Sequence, residues 1–170
     1  MWSDWGPPVR VRIDPTTVWT FARAVKDPNP LYRSEVAASA AGFDGLPVPP
    51  TFTFVMTYFG AWPDLQAPGG TGRLYEAGPE SLGRRPGLDL HGEQEFVYHR
   101  PVVAGEVLEA RMRTSAPWRK EGRRPMELRL LETRWSDLDG TPVVSETTTA
   151  IYLPTEAELE ARTPGGSSSD

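Results

Sequence analysis

The hydrophobic positions in the first third of the chain recur at the spacing of a helix. One apolar face is formed by Val18, Phe21, Ala22 and Val25. Asp14 followed by Pro15 suits an N-cap and a first helical position, and two later prolines end the helix. A second short helix is predicted over residues 34–41, with Ser34 as its cap and Gly42 as its stop.

The most apolar stretch of the chain, residues 49–60, is predicted to form a buried central helix. Its threonine, phenylalanine, valine and tyrosine residues also favour strands. Two features favour the helix. The prolines stand at its beginning, where helices accept them, and about 11 residues run without a turn signal.

The second half of the chain alternates between apolar and polar positions, which is typical of half-buried strands. The alternation covers residues 108–114 and again residues 126–130. It shifts by one position near Leu130 and Leu131, which predicts a bulge. The Asp-Gly pair at positions 139 and 140 signals a hairpin turn before a last strand over residues 142–153.

These elements predict an α+β domain in which helices come first and an antiparallel meander follows. A long apolar helix before several strands indicates a sheet wrapped around a central helix. We expect a single domain over residues 1–153. Four prolines and six glycines make residues 62–90 a long loop or flap, and residues 154–170 are predicted to form a disordered tail.

Composition narrows the possible chemistry. Proline and glycine supply 34 of the 170 residues, well above average usage, which argues against a helical bundle or a coiled coil. The absence of cysteine excludes disulfides, thiolate zinc sites, iron–sulfur clusters and cysteine nucleophiles. Two histidines exclude a histidine-rich metal site within one chain. No phosphate loop or serine-nucleophile elbow occurs, so we expect no metal and no cofactor.

The net charge of −5 at pH 7 argues against nucleic acid as a partner. The densest basic run, residues 119–124, is interpreted either as a solvated hairpin tip or as a dock for an acidic carrier protein or a coenzyme A phosphate. No apolar stretch is long enough for a transmembrane helix, and the N-terminus lacks the pattern of a signal peptide. The expected location is the cytosol.

The loop after the first helix carries the most informative motif. Residues 27–32 read Asp-Pro-Asn-Pro-Leu-Tyr, and taken alone they describe a turn that stops a helix. The loop also resembles the active-site loop of the MaoC-like, (R)-specific enoyl hydratases and dehydratases. The positions that match that family's motif are Phe21, Asp27, Asn29, Pro30, Leu31 and Ala38. Two positions differ, because Lys26 stands where the family usually has glycine and Tyr32 stands where it has histidine.

Two further segments carry the same resemblance. Residues 48–52 look like the beginning of the family's central helix, and residues 91–106 look like its following strand and turn. The three motifs are closest to the N-terminal, fatty-acid-synthase-type dehydratase branch, and the resemblance covers roughly residues 8–153. It implies a hot-dog fold, in which an antiparallel sheet wraps around a central helix. It also implies substrate-binding roles for Asn29, Pro50, Thr51, Phe52 and Gln94.

Tyr32 decides how the inherited chemistry is interpreted. In catalytic members of the family, an Asp and a His five residues later hold the water that adds to an unsaturated thioester. Histidine exchanges a proton near neutral pH, whereas tyrosine, with a pKa of about 10, is a poor base there. The resemblance therefore makes Asp27 and Tyr32 candidate catalytic residues, with the usual partner of the aspartate missing.

The histidines and aromatic residues leave alternatives open. His91 is interpreted either as a strand-edge histidine bonded to backbone or as a catalytic residue close to Asp27 that replaces the missing histidine. His99 is expected to be structural, at the end of a strand. The aromatic residues of the central helix are expected in the core, with an acyl tunnel beside the helix as the alternative. They are Phe52, Phe54, Tyr58 and Phe59.

Three functional hypotheses follow from the resemblance. In the leading one, the chain is a subunit of a (3R)-hydroxyacyl-thioester dehydratase or (R)-specific enoyl hydratase. It binds acyl-CoA or an acyl carrier protein, and a MaoC-type partner supplies the catalytic pair. In the second, a homodimer works alone with Asp27 and either His91 or Tyr32. In the third, the chain binds acyl groups or acts as a scaffold without catalysis. In the leading hypothesis a sheet edge or the face beside the helix is expected to pair with a second domain.

Overall fold

A computed structural model describes residues 1–59 and 85–162, and for residues 57–59 and 162 it describes the backbone alone. Most of the predicted flap at 62–90 and the last eight residues of the predicted tail therefore lie outside the described residues, as do the side chains of Tyr58 and Phe59. The elements in chain order are β1 (Val9–Arg12), α1 (Pro15–Ala24), a 3₁₀ turn (Pro30–Tyr32), α2 (Glu35–Ala40), α3 (Phe52–Phe59), β2 (Leu88–Tyr98), β3 (Val107–Thr114), β4 (Trp118–Lys120), β5 (Met126–Ser136), β6 (Pro142–Leu153) and α4 (Glu156–Arg162).

The first two helices begin where their caps predict. The Asp14 carboxylate accepts the backbone N–H groups of Thr16 and Thr17, and Pro15 is the first helical residue of α1. The Ser34 hydroxyl accepts the N–H of Ala37 at the start of α2. Both caps satisfy backbone donors that have no partner inside the helix, so the predicted helix starts are confirmed.

The strands form one antiparallel six-stranded sheet with the order β1-β3-β5-β6-β2, and β4 pairs with β5 beyond the end of β3. The predicted α+β class is confirmed. The simple meander is not what forms, because β2 lies at the far edge beside β6 and β1 lies at the opposite edge beside β3.

The predicted bulge at Leu130 and Leu131 is wrong. Both residues keep continuous register with β6, and the one shift of the β5–β6 ladder falls between Trp135 and Ser136. The apparent slip has another cause: β5 carries apolar residues on both faces. Leu131 is buried on the inner face, whereas Leu130 is half-buried on the outer face.

Helix α3 lies at the centre of the hydrophobic core, as predicted. Phe52 and Met56 are fully buried and belong to one cluster with the inward side chains of four strands. The strand residues of this cluster are Val9, Val11, Leu108, Ala110, Met112, Trp135, Val143 and Val144. The cluster fixes the start of α3 against the sheet, which matters because the candidate site lies at that start.

Two segments are more ordered than the sequence predicted. Strand β2 begins at Leu88, inside the predicted flap, and α4 forms inside the predicted tail. The Thr155 hydroxyl accepts the N–H of Glu158, and the Glu158 carboxylate accepts the N–H of Thr155. This reciprocal capping box is readable from the sequence Thr-Glu-Ala-Glu. Among the described helices, none is long and apolar enough to cross a membrane.

Candidate functional site

The loop that precedes the candidate site begins where helix α1 ends. At the end of α1, the N–H of Asp27 bonds the carbonyl of Ala22 at 2.8 Å, and the N–H of Lys26 bonds the carbonyl of Arg23 at 3.0 Å. This pair of bonds is a Schellman motif, which needs a left-handed residue after the helix. Lys26 supplies it, with φ at 59°. The geometry explains why glycine suits this position.

Asp27 and Asn29 shape the loop through their side chains. The Asp27 carboxylate accepts the N–H of Asn29 at 3.0 Å, and the Asn29 side-chain oxygen accepts the N–H of Leu31 at 3.1 Å. Each contact is an Asx turn, the local bond that favours these residues in turns. Asn29 thereby caps the 3₁₀ turn that presents Tyr32. The same residues thus fold the loop and place a half-buried carboxylate beside it.

Tyr32 is a poor proton acceptor in this setting. The residue is 8% exposed. Burial raises the pKa of its hydroxyl, and the nearby negative charge of Asp27 raises it further. Both effects disfavour the phenolate. Tyr32 therefore keeps its proton at neutral pH and has that proton to donate.

A cleft of about 250 Å³ opens beside Tyr32. Its lining is mainly apolar and comes from the loop, from the segment before α3, and from the end of β2. The lining residues are Leu31, Tyr32, Phe43, Pro47, Val48, Pro50, Tyr98, Pro101 and Val102. An apolar cleft lined by two tyrosines suits a molecule that is largely hydrocarbon with one polar group.

Tyr98 connects this cleft to the start of α3. Its hydroxyl accepts the N–H of Thr51 at 3.0 Å, and burial raises its pKa. Thr51 has φ at 70°, a left-handed conformation that is strained for a β-branched residue. Strain of this kind is concentrated at functional sites. A tyrosine hydroxyl that accepts one bond still has a proton to donate, so Tyr98 adds a second donor at the cleft.

A buried carboxyl lies behind these residues on the inner face of β6. Glu146 is 2% exposed, and its Oε1 accepts the indole N–H of Trp135 at 2.9 Å. Burial raises the pKa of Glu146 to about 7, although the Thr53 hydroxyl and the Trp135 indole, which face the carboxyl, oppose that rise. The Thr53 hydroxyl is itself buried without a partner in hydrogen-bonding geometry. A buried carboxyl with a raised pKa, such as that of Glu146, is a candidate functional group.

The structure places the predicted site residues in different surroundings. His91 is exposed on β2 and packs edge-to-face on Phe54, with ring centroids 5.1 Å apart. No hydrogen bond or ion pair joins His91 to Asp27 within the described ranges. The predicted pairing of these two residues therefore has no contact to support it within one chain.

The predicted substrate-binding residues also lie in different surroundings. Pro50 lines the cleft, and Thr51 adjoins it through Tyr98. Phe52 lies fully in the core, edge-to-face with Phe21 at 5.4 Å. The Gln94 amide nitrogen is buried on β2 without a partner among the described residues.

His99, predicted to be structural, follows the end of β2. Its Nε2 lies 3.2 Å from the Ser145 hydroxyl, and its backbone N–H bonds the carbonyl of Val143 at 2.9 Å. Both contacts tie the end of β2 to β6.

Tyr98 and Glu146 were not among the sequence candidates. A weak signal existed for Glu146, because the alternation of the last strand puts it on the same face as Val144 and Thr148. Tyr98 gave no such signal, since its role depends on a bond to Thr51, 47 positions away. Among the described residues, no group of three or more acidic or histidine side chains converges as a metal site.

The sequence matches a family model described as the FAS1-like dehydratase domain region over residues 4–146. Among curated proteins, a UPF0336 protein of Streptomyces avermitilis is 40% identical over 88 residues, which is 52% of this chain and 51% of that protein. The chain thus spans about half the length of this curated relative.

Two solved structures show the same fold. The C-terminally truncated HadBC complex of Mycobacterium tuberculosis, a (3R)-hydroxyacyl-ACP dehydratase, is 26% identical with a TM-score of 0.66, over 89% of this chain and 94% of that one. An (R)-hydratase of A. caviae involved in PHA biosynthesis is 20% identical with a TM-score of 0.53, over 89% and 98% of the two chains. The second likeness shows the fold alone. Together they confirm the predicted hot-dog fold.

Proposed function

The chain belongs to the family of FAS1-like dehydratase domains, and we propose that it is one subunit of a (3R)-hydroxyacyl-thioester dehydratase or (R)-specific enoyl hydratase. In this proposal the chain binds the acyl thioester, and a MaoC-type partner subunit supplies the catalytic aspartate and histidine. The similarity to HadBC, a (3R)-hydroxyacyl-ACP dehydratase complex, supports a two-subunit assembly. A cytosolic location is part of the same proposal.

The observation that carries the proposal is the environment of Tyr32. Addition of water to an enoyl thioester needs a base that takes a proton from the water and donors that polarise the thioester carbonyl. Tyr32 occupies the histidine position of the resembling family, and burial together with Asp27 raises its pKa. The loop therefore offers a carboxylate and a hydrogen-bond donor, but not the imidazole that exchanges a proton near neutral pH.

The edge of the sheet supports the partner. Strand β2 is 11 residues long and pairs with β6 on one side, and no described strand pairs with its other side. Leu88, Leu90, Val97 and Tyr98 on this strand are each more than 40% exposed. A long edge with exposed apolar side chains is a site for strand pairing. A second hot-dog domain added there continues the sheet.

The cleft supports the substrate class. Its apolar lining fits part of an acyl chain or the apolar arm of a thioester. Both carrier-protein and CoA thioesters meet this description.

The test compares the chain alone with the chain co-purified with a MaoC-type protein from the same genome, using hydration of a crotonyl thioester. We expect no turnover alone and turnover with the partner. Asp27→Asn in this chain should leave most of that activity, whereas the equivalent change in the partner should abolish it. Turnover by the chain alone that Asp27→Asn abolishes would instead establish the self-sufficient homodimer.

A second experiment restores the missing group. Tyr32→His should give the chain measurable turnover on its own, because it places an imidazole beside Asp27. Tyr32→Phe, which keeps the ring but removes the hydroxyl, is the matched control and should give none. Inactivity of every combination, with acyl thioester still bound, would leave an acyl-binding role without catalysis.

A further inference from the structure

The hairpin that joins β4 to β5 exposes an unusual concentration of positive charge. We refer to residues 118–124 as the hairpin tip, and each of them is exposed. The tip carries four cations and one carboxylate, in a chain whose net charge is −5. The cations are Arg119, Lys120, Arg123 and Arg124.

The cations of the tip differ from the arginines of the neighbouring strands. On β3 and β5, Arg111, Arg113, Arg129 and Arg134 each have a carboxylate partner within 4 Å. None of the four tip cations has such a partner among the described residues. Unpaired positive charge at one exposed place raises the local potential and attracts an acidic partner.

An apolar stripe leads from the tip towards the free edge of the sheet. Trp118 pairs with Leu128, Leu128 with Ile151, and Ile151 with Leu90, so the four residues form one row on the outer face across β4, β5, β6 and β2. Trp118 is 42% exposed and Leu90 is 41% exposed. An apolar centre with an exposed tryptophan and a basic rim is typical of a protein-binding surface.

The cavity beside the tip does not suit a nucleotide. It holds about 120 Å³, and carboxylates of Glu121 and Glu127 contribute to its lining. Small-molecule sites usually enclose about 300 Å³ or more, so this cavity is too small for a nucleotide. The exposed tip and its stripe therefore fit a protein surface better than coenzyme A.

Pairing of β2 with a second hot-dog domain would bring the hairpin tip towards the partner's catalytic loop. If two-fold symmetry or pseudo-symmetry joins β2 to the matching strand of a second hot-dog domain, the two strands run antiparallel. The Leu90 end of β2 then lies beside the partner's catalytic-loop end, because the loop of this chain lies at the Tyr98 end. The tip is four strand spacings from that partner strand, roughly 20 Å at about 4.8 Å per spacing.

We propose that the hairpin tip and its apolar stripe dock an acidic acyl carrier protein, whose thioester arm reaches the partner's catalytic loop around the Leu90 end of the paired β2 strands. This inference rests on the proposed function, since the carrier is the form in which that site receives its substrate. It gives the positive charge of the hairpin tip a binding partner of opposite charge.

The experiment uses the complex of this chain with its MaoC-type partner and a fluorescently labelled acidic holo-acyl carrier protein. Anisotropy measures binding without depending on turnover. Arg123→Glu/Arg124→Glu should weaken binding by roughly tenfold or more, and rising salt should weaken wild-type binding. Arg124→Glu alone is compared with Arg12→Glu, which reverses an exposed cation on β1. Arg12→Glu should leave the affinity unchanged, and the unfolding midpoints of all variants should match the wild type.

Kinetics separate this proposal from the function on which it rests. With a carrier-bound acyl group, the double variant should raise KM with kcat unchanged, and with the same acyl group on CoA it should change neither. An equal rise for CoA, an equal effect of Arg12→Glu, or wild-type affinity in the double variant would overturn the carrier dock. Inactivity on both thioesters with tip-dependent carrier binding would sink the proposed function and keep the dock.

Discussion

The inner face of the sheet holds one glutamate towards each end, half-buried Glu127 and buried Glu146, and their surroundings are opposite. At the end covered by α4, Glu127 accepts bonds from Arg85 at 2.6 Å and Arg129 at 3.1 Å. Burial alone would raise the pKa of Glu127, but the two guanidinium groups bring it below its ordinary value. Towards the Asp27 loop, Glu146 bonds the Trp135 indole, and burial raises its pKa to about 7.

The difference separates a stabilising region from a site. We call these regions the α4 end and the loop end. The charges of the α4 end neutralise one another, so this end gains stability from ionised groups at neutral pH. The loop end buries polar groups without a countercharge and includes the strained Thr51. Buried groups with perturbed pKa values and strained residues are concentrated at functional sites.

The largest expected effect comes from removing the carboxylate at the α4 end. Glu127→Ala takes away the charge that Arg85 and the buried Arg129 share, and loss of one partner of a buried pair costs about 3 kcal/mol or more. Urea unfolding at neutral pH measures this loss of unfolding free energy. The control is Arg10→Ala, whose ion pair with Glu109 is half-exposed and should cost less than about 0.5 kcal/mol. Equal losses for both variants would erase the contrast between paired burial and surface pairing.

The pH dependence of stability tests the loop end. The pKa of Glu146 rises from 4.5 to about 7 on folding, so the folded state binds the proton more tightly than the unfolded state. Stability from this group is therefore complete below pH 4.5 and is lost as pH rises through 7, by roughly 3 kcal/mol in total. Glu146→Gln should remove this fall, measured by urea unfolding between pH 5 and pH 8.

Glu127 should give the stability of the fold the opposite dependence on pH. Its lowered pKa means that its contribution is present at neutral pH and is lost as the pH falls through the folded-state value. A Glu127 variant should thus change the acid limb of the stability curve and leave the limb near neutrality as in the wild type. If Glu146→Gln leaves that neutral limb unchanged as well, the carboxyl is not held in its protonated form.

One tyrosine hydroxyl at each end allows the two ends to be compared directly. The Tyr152 hydroxyl accepts the N–H of Gly87 at 2.9 Å and bonds the Glu158 carboxylate at 2.7 Å, whereas the Tyr98 hydroxyl accepts the N–H of Thr51. Bonds to charged groups contribute more, so Tyr152→Phe should cost about 2 kcal/mol and Tyr98→Phe about 1 kcal/mol. Thermal unfolding gives the order, and amide exchange should accelerate at Thr51 only in the Tyr98 variant. The reverse order would contradict the division into two ends.

The smallest expected effect concerns the helix stop before the loop. Lys26→Gly relieves a left-handed lysine and should stabilise the fold by about 0.5 kcal/mol, since the relief exceeds the entropy cost of glycine slightly. Ala24→Gly, two positions earlier inside α1, is the control and should destabilise by about 1 kcal/mol. Both are read from urea midpoints. A loss of stability in the Lys26 variant would mean that the lysine side chain contributes to the loop.

Local signals predicted the elements well and their neighbours less well. The caps at Asp14 and Ser34, the helix near residues 52–59 and the turn at Gly140 depend on adjacent residues, and each is found in the structure. The bulge in β5 was misread because apolar residues on both faces imitate a shift of register. The capping box of α4 was present in the sequence and was outweighed by the polar composition of the tail.

The candidate site was predictable only where one loop forms it. Asp27, Asn29 and Tyr32 lie within six positions, so a motif can contain them. Tyr98 and Glu146 reach the site through strand pairing. The register of β2 on β6 puts Tyr98 opposite Val144 and Phe96 opposite Glu146. His91 lies in the same strand, and register directs its ring to Phe54 on α3.

By itself, the sequence determined the α+β class, the helix starts, the central apolar helix and the motif that identifies the family, because each depends on short-range spacing or local hydrogen bonds. The tertiary structure decided the strand order, the pairing of Glu127 with arginines, the burial of Glu146 without a countercharge, and the meeting of Tyr32 with Tyr98 at one cleft. Those features depend on contacts between distant segments. Their energies arise from burial and from charge pairing, which exist only after the sheet has closed over α3.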